Sequence, residues 1–307
     1  LLLRGPRRVT ALYSSAACFV YKRQAALATD GVVAVYTGAD LEGDWAGPLP
    51  CAWPVTDEMK NPAHLPVAVG KANFAGDAVA VVVATSRYAA ADGAEGVVVD
   101  YEPREAVGDL DDAASDRVVI HDDCGTNVSY DWPLEPDPDA VAAAFENAAH
   151  HVTETYVHQR LIPAPMEPRG VAAVPAPHNG DMTLYSSTQI PHVLKVMGAL
   201  TLGMPEQKLR VIAPSVGGGF GCKLNVYAEE LICMALANRH GAAVRWTETR
   251  TEAATSTIQG RAQKQTIELA ADADGRLTAV RATLLADMGA YLQLVAPLSL
   301  IHISEPT

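Results

Sequence analysis

The pattern of apolar and polar positions divides the chain into short elements of both kinds. Residues 31–37 (Gly-Val-Val-Ala-Val-Tyr-Thr) form a compact apolar run of strand type. Residues 45–70 carry Pro48, Pro50, Pro54, Pro62 and Pro66, which predicts an irregular connection. A β-α-β pattern follows, with a strand over 77–84, a helix capped by Ser86 that runs to about 96, and a strand over 97–102. Residues 103–132 are polar and acidic, which suits a domain boundary near 130.

The second half restarts with Asp137-Pro138-Asp139, a cap followed by a first-turn proline, opening a helix to about 149. Alternation over 151–159 predicts a strand, as do 170–174, 181–186, 208–213 and 242–247. A helix over 191–202 ends at Gly203, and an amphipathic helix over 225–240 ends at Gly241. Strands at 265–271 and 276–286 pair across Asp274-Gly275. Without a regular βα repeat the fold class is α+β.

Composition narrows the function. The 307 residues carry 23 Lys and Arg against 36 Asp and Glu, a net charge of −13, so the chain lacks the cationic surface that nucleic acid or an anionic membrane requires. The apolar run 78–84 is far short of the ~20 residues needed to span a bilayer, and no signal peptide is recognisable, which predicts a cytoplasmic protein. Five cysteines, none in CxxC spacing, point to neither a disulfide framework nor an iron–sulfur or zinc site in this chain.

Three segments carry candidate chemistry. The loop Ser215-Val216-Gly217-Gly218-Gly219-Phe220-Gly221-Cys222-Lys223 lies between a strand and a helix, where exposed backbone N–H groups and the helix dipole attract an anion. A phosphate loop needs Ser or Thr after Lys223 and meets Leu224; a dinucleotide fingerprint starting at Gly217 meets Cys222 where glycine is needed. Consecutive glycines cost conformational entropy, so a close approach of backbone is the reason to keep them. Pro165-Met166-Glu167-Pro168-Arg169-Gly170 sets an acid beside a guanidinium, read most simply as a solvated ion pair in a turn. In Ser187-Thr188-Gln189-Ile190-Pro191-His192, Thr188 reads most simply as a helix cap. These residues leave open a loop that holds an oxo ligand, a phosphate- or nucleotide-binding domain, and an interaction domain in which the glycines only turn the chain.

Taken together, the Met-Glu-Pro-Arg-Gly, Thr-Gln-x-Pro-His and Val-Gly-Gly-Gly-Phe-Gly-x-Lys elements resemble the molybdenum hydroxylases, the family of xanthine dehydrogenase, aldehyde oxidase and aerobic carbon monoxide dehydrogenase large subunits. Residues 224–230 and 286–291 resemble the carbon monoxide dehydrogenase branch. The resemblance implies a small hammerhead domain over 25–128 and the first part of a molybdopterin-binding domain over 129–296. It implies oxidation of carbon monoxide, an aldehyde or an N-heterocycle with water-derived oxygen, the metal being held by its pterin, in the cytosine dinucleotide form, rather than by side chains. Gln189 would hydrogen-bond an oxo ligand, and Gly218, Gly219, Phe220 and Gly221 would bring backbone against the cofactor. Glu167 and Arg169 would position. The 2Fe-2S clusters and FAD would sit on partner subunits, a small iron–sulfur and a medium FAD subunit, in a dimer of heterotrimers. The general-base glutamate is expected downstream, leaving this stretch inactive alone. Leu224 stands where purine hydroxylases carry glutamate, which argues against a purine substrate. Residues 20–24 and 299–307 look like translated adapter sequence, so 1–24 and 297–307 are expected to be non-native.

Overall fold

The computed structural model describes residues 2–3, 17–51, 55–133 and 137–294. In chain order the strands are β1 (Leu2–Leu3), β2 (Ala17–Lys22), β3 (Val32–Thr37), β4 (Lys71–Ala72), β5 (Ala80–Ala84), β6 (Val98–Pro103), β7 (His150–Leu161), β8 (Gly170–Ala176), β9 (Asp181–Ser186), β10 (Leu209–Ile212), β11 (Val244–Thr247), β12 (Gly260–Ala271) and β13 (Leu277–Ala286). The helices are α1 (Gln24–Leu27), α2 (Gly38–Leu41), α3 (Arg87–Glu95), α4 (Leu110–Ala114), α5 (Pro138–Glu146), α6 (Pro191–Thr201), α7 (Ala228–His240) and α8 (Arg250–Ser256). Mixed sheets and helices make the chain α+β.

The N-terminal region holds two three-stranded sheets, ordered β1-β5-β3 and β4-β2-β6. Ser86 caps α3 as expected, its Oγ accepting from Ala89 N. The β-α-β unit does not close, because β5 and β6 lie in different sheets. The physical reason is that β5 already has both edges filled, by β1 and β3, while β6 pairs antiparallel with β2 from Ala17↔Pro103 to Lys22↔Val98. The folded sheet therefore begins at Ala17, ahead of residue 25, whereas 4–16 and 295–307 lie outside the described residues.

The second region is built on the sheet β10-β9-β8-β11. β8 and β9 form an antiparallel hairpin, and β10 returns parallel to β9 through α6. α7 lies across this sheet. It is not amphipathic as expected: residues 229–237 are all buried, so both faces meet protein. Its C-terminus does follow expectation, with Gly241 left-handed at φ 60°. The core joins Leu184, Leu194, Leu209, Leu231, Leu236 and Trp246 of this region with Leu41, Val67 and Val81 of the first. A fourth sheet, β13-β12-β7, contains the hairpin across Asp274-Gly275, with β12 reaching back to Gly260 to pair with β7. Among the described residues no helix is long and apolar enough to cross a membrane.

Candidate functional site

Gln189 and the glycine loop meet at one end of the β10-β9-β8-β11 sheet. Past the end of β9 the chain makes a short turn, in which Thr188 Oγ1 accepts from Ile190 N at 3.1 Å. Thr188 thus shapes this turn rather than capping α6, whose cap position is Ile190. Gln189 N donates to Lys223 O at 3.0 Å. In return Gly221 N and Lys223 N donate to Gln189 Oε1 at 3.1 and 3.2 Å. An amide oxygen that accepts two N–H groups fixes which end of the amide is which. The exposed side chain therefore presents its NH2, with two donors, away from the loop.

The loop is shaped to let this happen. A Cβ on Gly219 would lie 2.5 Å from Gln189 Cδ, so any side chain there displaces the glutamine. The close approach inferred from the glycine run is thus first an approach to Gln189. Phe220 takes φ 53°, a region that costs a bulky residue energy, and the residue is 76% exposed. Among the described residues the N–H groups of Gly218, Gly219 and Phe220 find no protein acceptor, and the position of a Cβ on Gly221 meets open space. The five expected site residues are thus contiguous in space.

Glu167 and Arg169 do not pair with each other. Glu167 turns to the loop, where its Oε2 takes the Gly217 N–H and the Lys223 ammonium, both at 2.7 Å. Burial pushes its carboxyl up, but the Lys223 and Gly217 hydrogen bonds outweigh this and hold it below its ordinary value. Arg169 turns inward and is buried. Its guanidinium meets Glu229 bidentately at 2.9 and 3.0 Å and Glu248 at 2.7 and 2.9 Å, with the Tyr227 ring 3.8 Å away. Burial opposes the Arg169 charge, yet Glu229 above all, with Tyr227 and Glu248, holds the proton more firmly than in water. The expected solvated turn ion pair is therefore replaced by a buried hub. Beside it, burial raises Glu230 to about 7 although Ser186 Oγ and Tyr227 N donate to it at 2.6 and 2.9 Å.

Sequence reasoning missed the roles of Lys223, Glu229, Glu230 and Glu248. The adjacent acids at the start of an apolar helical run were the available signal, and they look like ordinary first-turn acids. Glu230 in fact caps the buried start of α7. Residues 222–227 separate the loop from that helix, so the loop N–H groups are not the first-turn donors of α7, which weakens the case for a phosphate site.

What converges is a set of hydrogen-bond donors: the Gln189 amide and unpaired loop N–H groups. Among the described residues no three His, Cys, Asp or Glu side chains cluster as metal ligands. The donor set fits an anionic or oxo-bearing cofactor that brings its own metal ligands. The comparisons agree. Residues 120–305 match the molybdopterin cofactor-binding domain, and residues 9–105 match the aldehyde oxidase and xanthine dehydrogenase a/b hammerhead domain. The chain belongs to the molybdenum hydroxylase family, carrying its hammerhead and molybdopterin-binding domains. Within it, the chain is 33% identical over 282 residues to the carbon monoxide dehydrogenase large chain of Hydrogenophaga pseudoflava, covering 88% of this chain and 34% of that one. It is 36% identical over 263 residues to the nicotine 6-hydroxylase large subunit of Paenarthrobacter nicotinovorans, covering 85% and 32%. The structure of quinoline 2-oxidoreductase from Pseudomonas putida 86 superimposes with a TM-score of 0.86 at 31% identity, covering 92% of this chain and 36% of that one. The chain spans about a third of the length of these relatives.

Proposed function

We propose that this chain provides the oxo-facing part of the molybdenum cofactor site in a hydroxylase that oxidises carbon monoxide, an aldehyde or an N-heterocycle. The observation that carries this reading is the Gln189 amide, whose oxygen is locked by Gly221 and Lys223 so that its donors face outward. When bound, the molybdenum cofactor supplies water-derived oxygen and accepts two electrons from the substrate. Gln189 would hold an oxo ligand with its amide, while Gly218, Gly219 and Phe220 offer backbone donors that need no reorganisation. These groups steady negative charge; none of them is placed to take a proton, and the general base belongs to sequence beyond this stretch. The 307 residues alone would therefore show no turnover.

The remaining assignments are part of the same proposal. The cofactor is the cytosine dinucleotide form, and electrons leave to 2Fe-2S and FAD on partner subunits in a cytoplasmic dimer of heterotrimers. The hammerhead and cofactor-binding domains divide near 128, with β2 (Ala17–Lys22), paired along β6, belonging to the first of them. Leu224 in the place of a purine-binding glutamate favours a non-purine substrate. Molybdenum and pterin analysis of the intact complex is the test: both present in near-equal amounts supports the reading, and a folded complex without molybdenum ends it.

A further inference from the structure

One carboxylate oxygen joins the two ends of the glycine loop. Glu167 Oε2 accepts the Gly217 N–H at the start of the loop and the Lys223 ammonium at its end. Gly217 leaves room for this contact, since a Cβ there would lie 2.7 Å from Glu167 Cβ. The backbone of the same lysine holds Gln189 from the other side. Lys223 N donates to Gln189 Oε1 at 3.2 Å, and Lys223 O accepts from Gln189 N at 3.0 Å and from Thr188 Oγ1 at 3.4 Å. Among the described residues Lys223 is the one that hydrogen-bonds both the acid and the glutamine.

We propose that Glu167 and Lys223 are positioning residues: their side chains form a clasp that sets the loop and, through the Lys223 backbone, aims the Gln189 amide. The inference rests on the reading of Gln189 and the loop as the cofactor cradle. Stability alone is a poor reason for the pair. The Lys223 side chain is 1% exposed and that of Glu167 39% exposed, and taking an ammonium out of water for a half-exposed partner gains little over a well-packed apolar side chain. What the charge adds is geometry. Two donors from opposite ends of the loop are drawn to one oxygen, and the loop closes around it.

The asymmetry in burial supplies the test. In the intact complex, E167Q, K223M and the double variant are compared by amide hydrogen exchange over 215–224, thermal midpoint, kcat and KM. E167Q leaves a buried ammonium with a weaker partner, whereas K223M leaves a carboxylate that water can reach, so the midpoint falls further in E167Q. Exchange over 215–224 becomes roughly tenfold faster in each single variant, the effect of losing one charge-assisted hydrogen bond, and kcat drops while KM stays near wild type. The double variant recovers the thermal midpoint but keeps the fast exchange and the low kcat. Wild-type exchange in both single variants overturns the clasp, as does a double variant in which exchange and kcat recover together with the midpoint. A wild-type complex without molybdenum would strike the cradle reading instead, and the exchange rates would still decide the clasp.

Discussion

Glu167 and Arg169 are separated by a single proline, yet they enter ion pairs of opposite character. Glu167 sits ahead of β8 at the surface and uses one oxygen to gather a backbone N–H and a lysine ammonium from the two ends of the loop. Arg169, at the start of β8, is directed into the core, where all its bonds run to Glu229, Glu248 and Ser256, from α7, the end of β11 and α8. The inner pair ties three elements into one body; the outer one tunes a loop that faces solvent. A small cavity of about 10 Å³, with room for roughly one water, lies between them, lined by Arg169, Ser186, Ser187, Thr188, Lys223 and Glu230. A buried, fully paired hub beneath a donor-bearing loop suits a cofactor site, because precision at the surface depends on the support below it.

The comparison breaks most visibly at the hub. Arg169→Met strands two buried carboxylates and is expected to cost about 3–5 kcal/mol, measured by denaturant unfolding. A loss below about 1 kcal/mol, the worth of a surface pair, would erase the distinction between the two systems. Next in size is Gly219→Val, which must push Gln189 from its seat. Overpacking of this kind costs about 1–3 kcal/mol, and molybdenum content should fall while far-ultraviolet circular dichroism stays that of wild type. Full molybdenum in that variant would show that Gln189 has another seat.

The smallest effect is a pH dependence. Burial raises Glu230 to about 7, so between its ordinary value near 4.5 and 7 the folded chain holds a proton that the unfolded chain has released. Stability tied to this group is complete at low pH and is lost as pH rises through about 7. Glu167 has the opposite sign, since its lowered value makes the clasp weaken as pH falls. Glu230→Gln should flatten the fall in thermal midpoint over pH 4.5–7. An unchanged slope would place the titration elsewhere.

Local signals were the readable ones. Ser86, Asp137-Pro138, Gly241 and Asp274-Gly275 each mark a boundary by chemistry confined to a few residues, and the structure places boundaries there. α8 carries a signal of the same local kind, the capping box of Thr249 and Glu252. The β-α-β pattern misled because strand partners are not a local property: β6 pairs with β2, in a segment set aside as foreign. The glycine loop declared itself by its cost, and Gln189 became a candidate only through likeness to a family. The pairing within the hub could not be read, because Arg169 meets Glu229 and Glu248 across 60 and 79 residues, and nothing beside Arg169 in the chain distinguishes it from a surface arginine.

The most direct test of the cradle is the amount of molybdenum per large subunit in the intact complex, wild type against Gln189→Ala. The outward amide predicts near-stoichiometric metal in the wild type and a clear deficit in the variant, with the fold unchanged. Equal molybdenum in both would contradict the role given to Gln189.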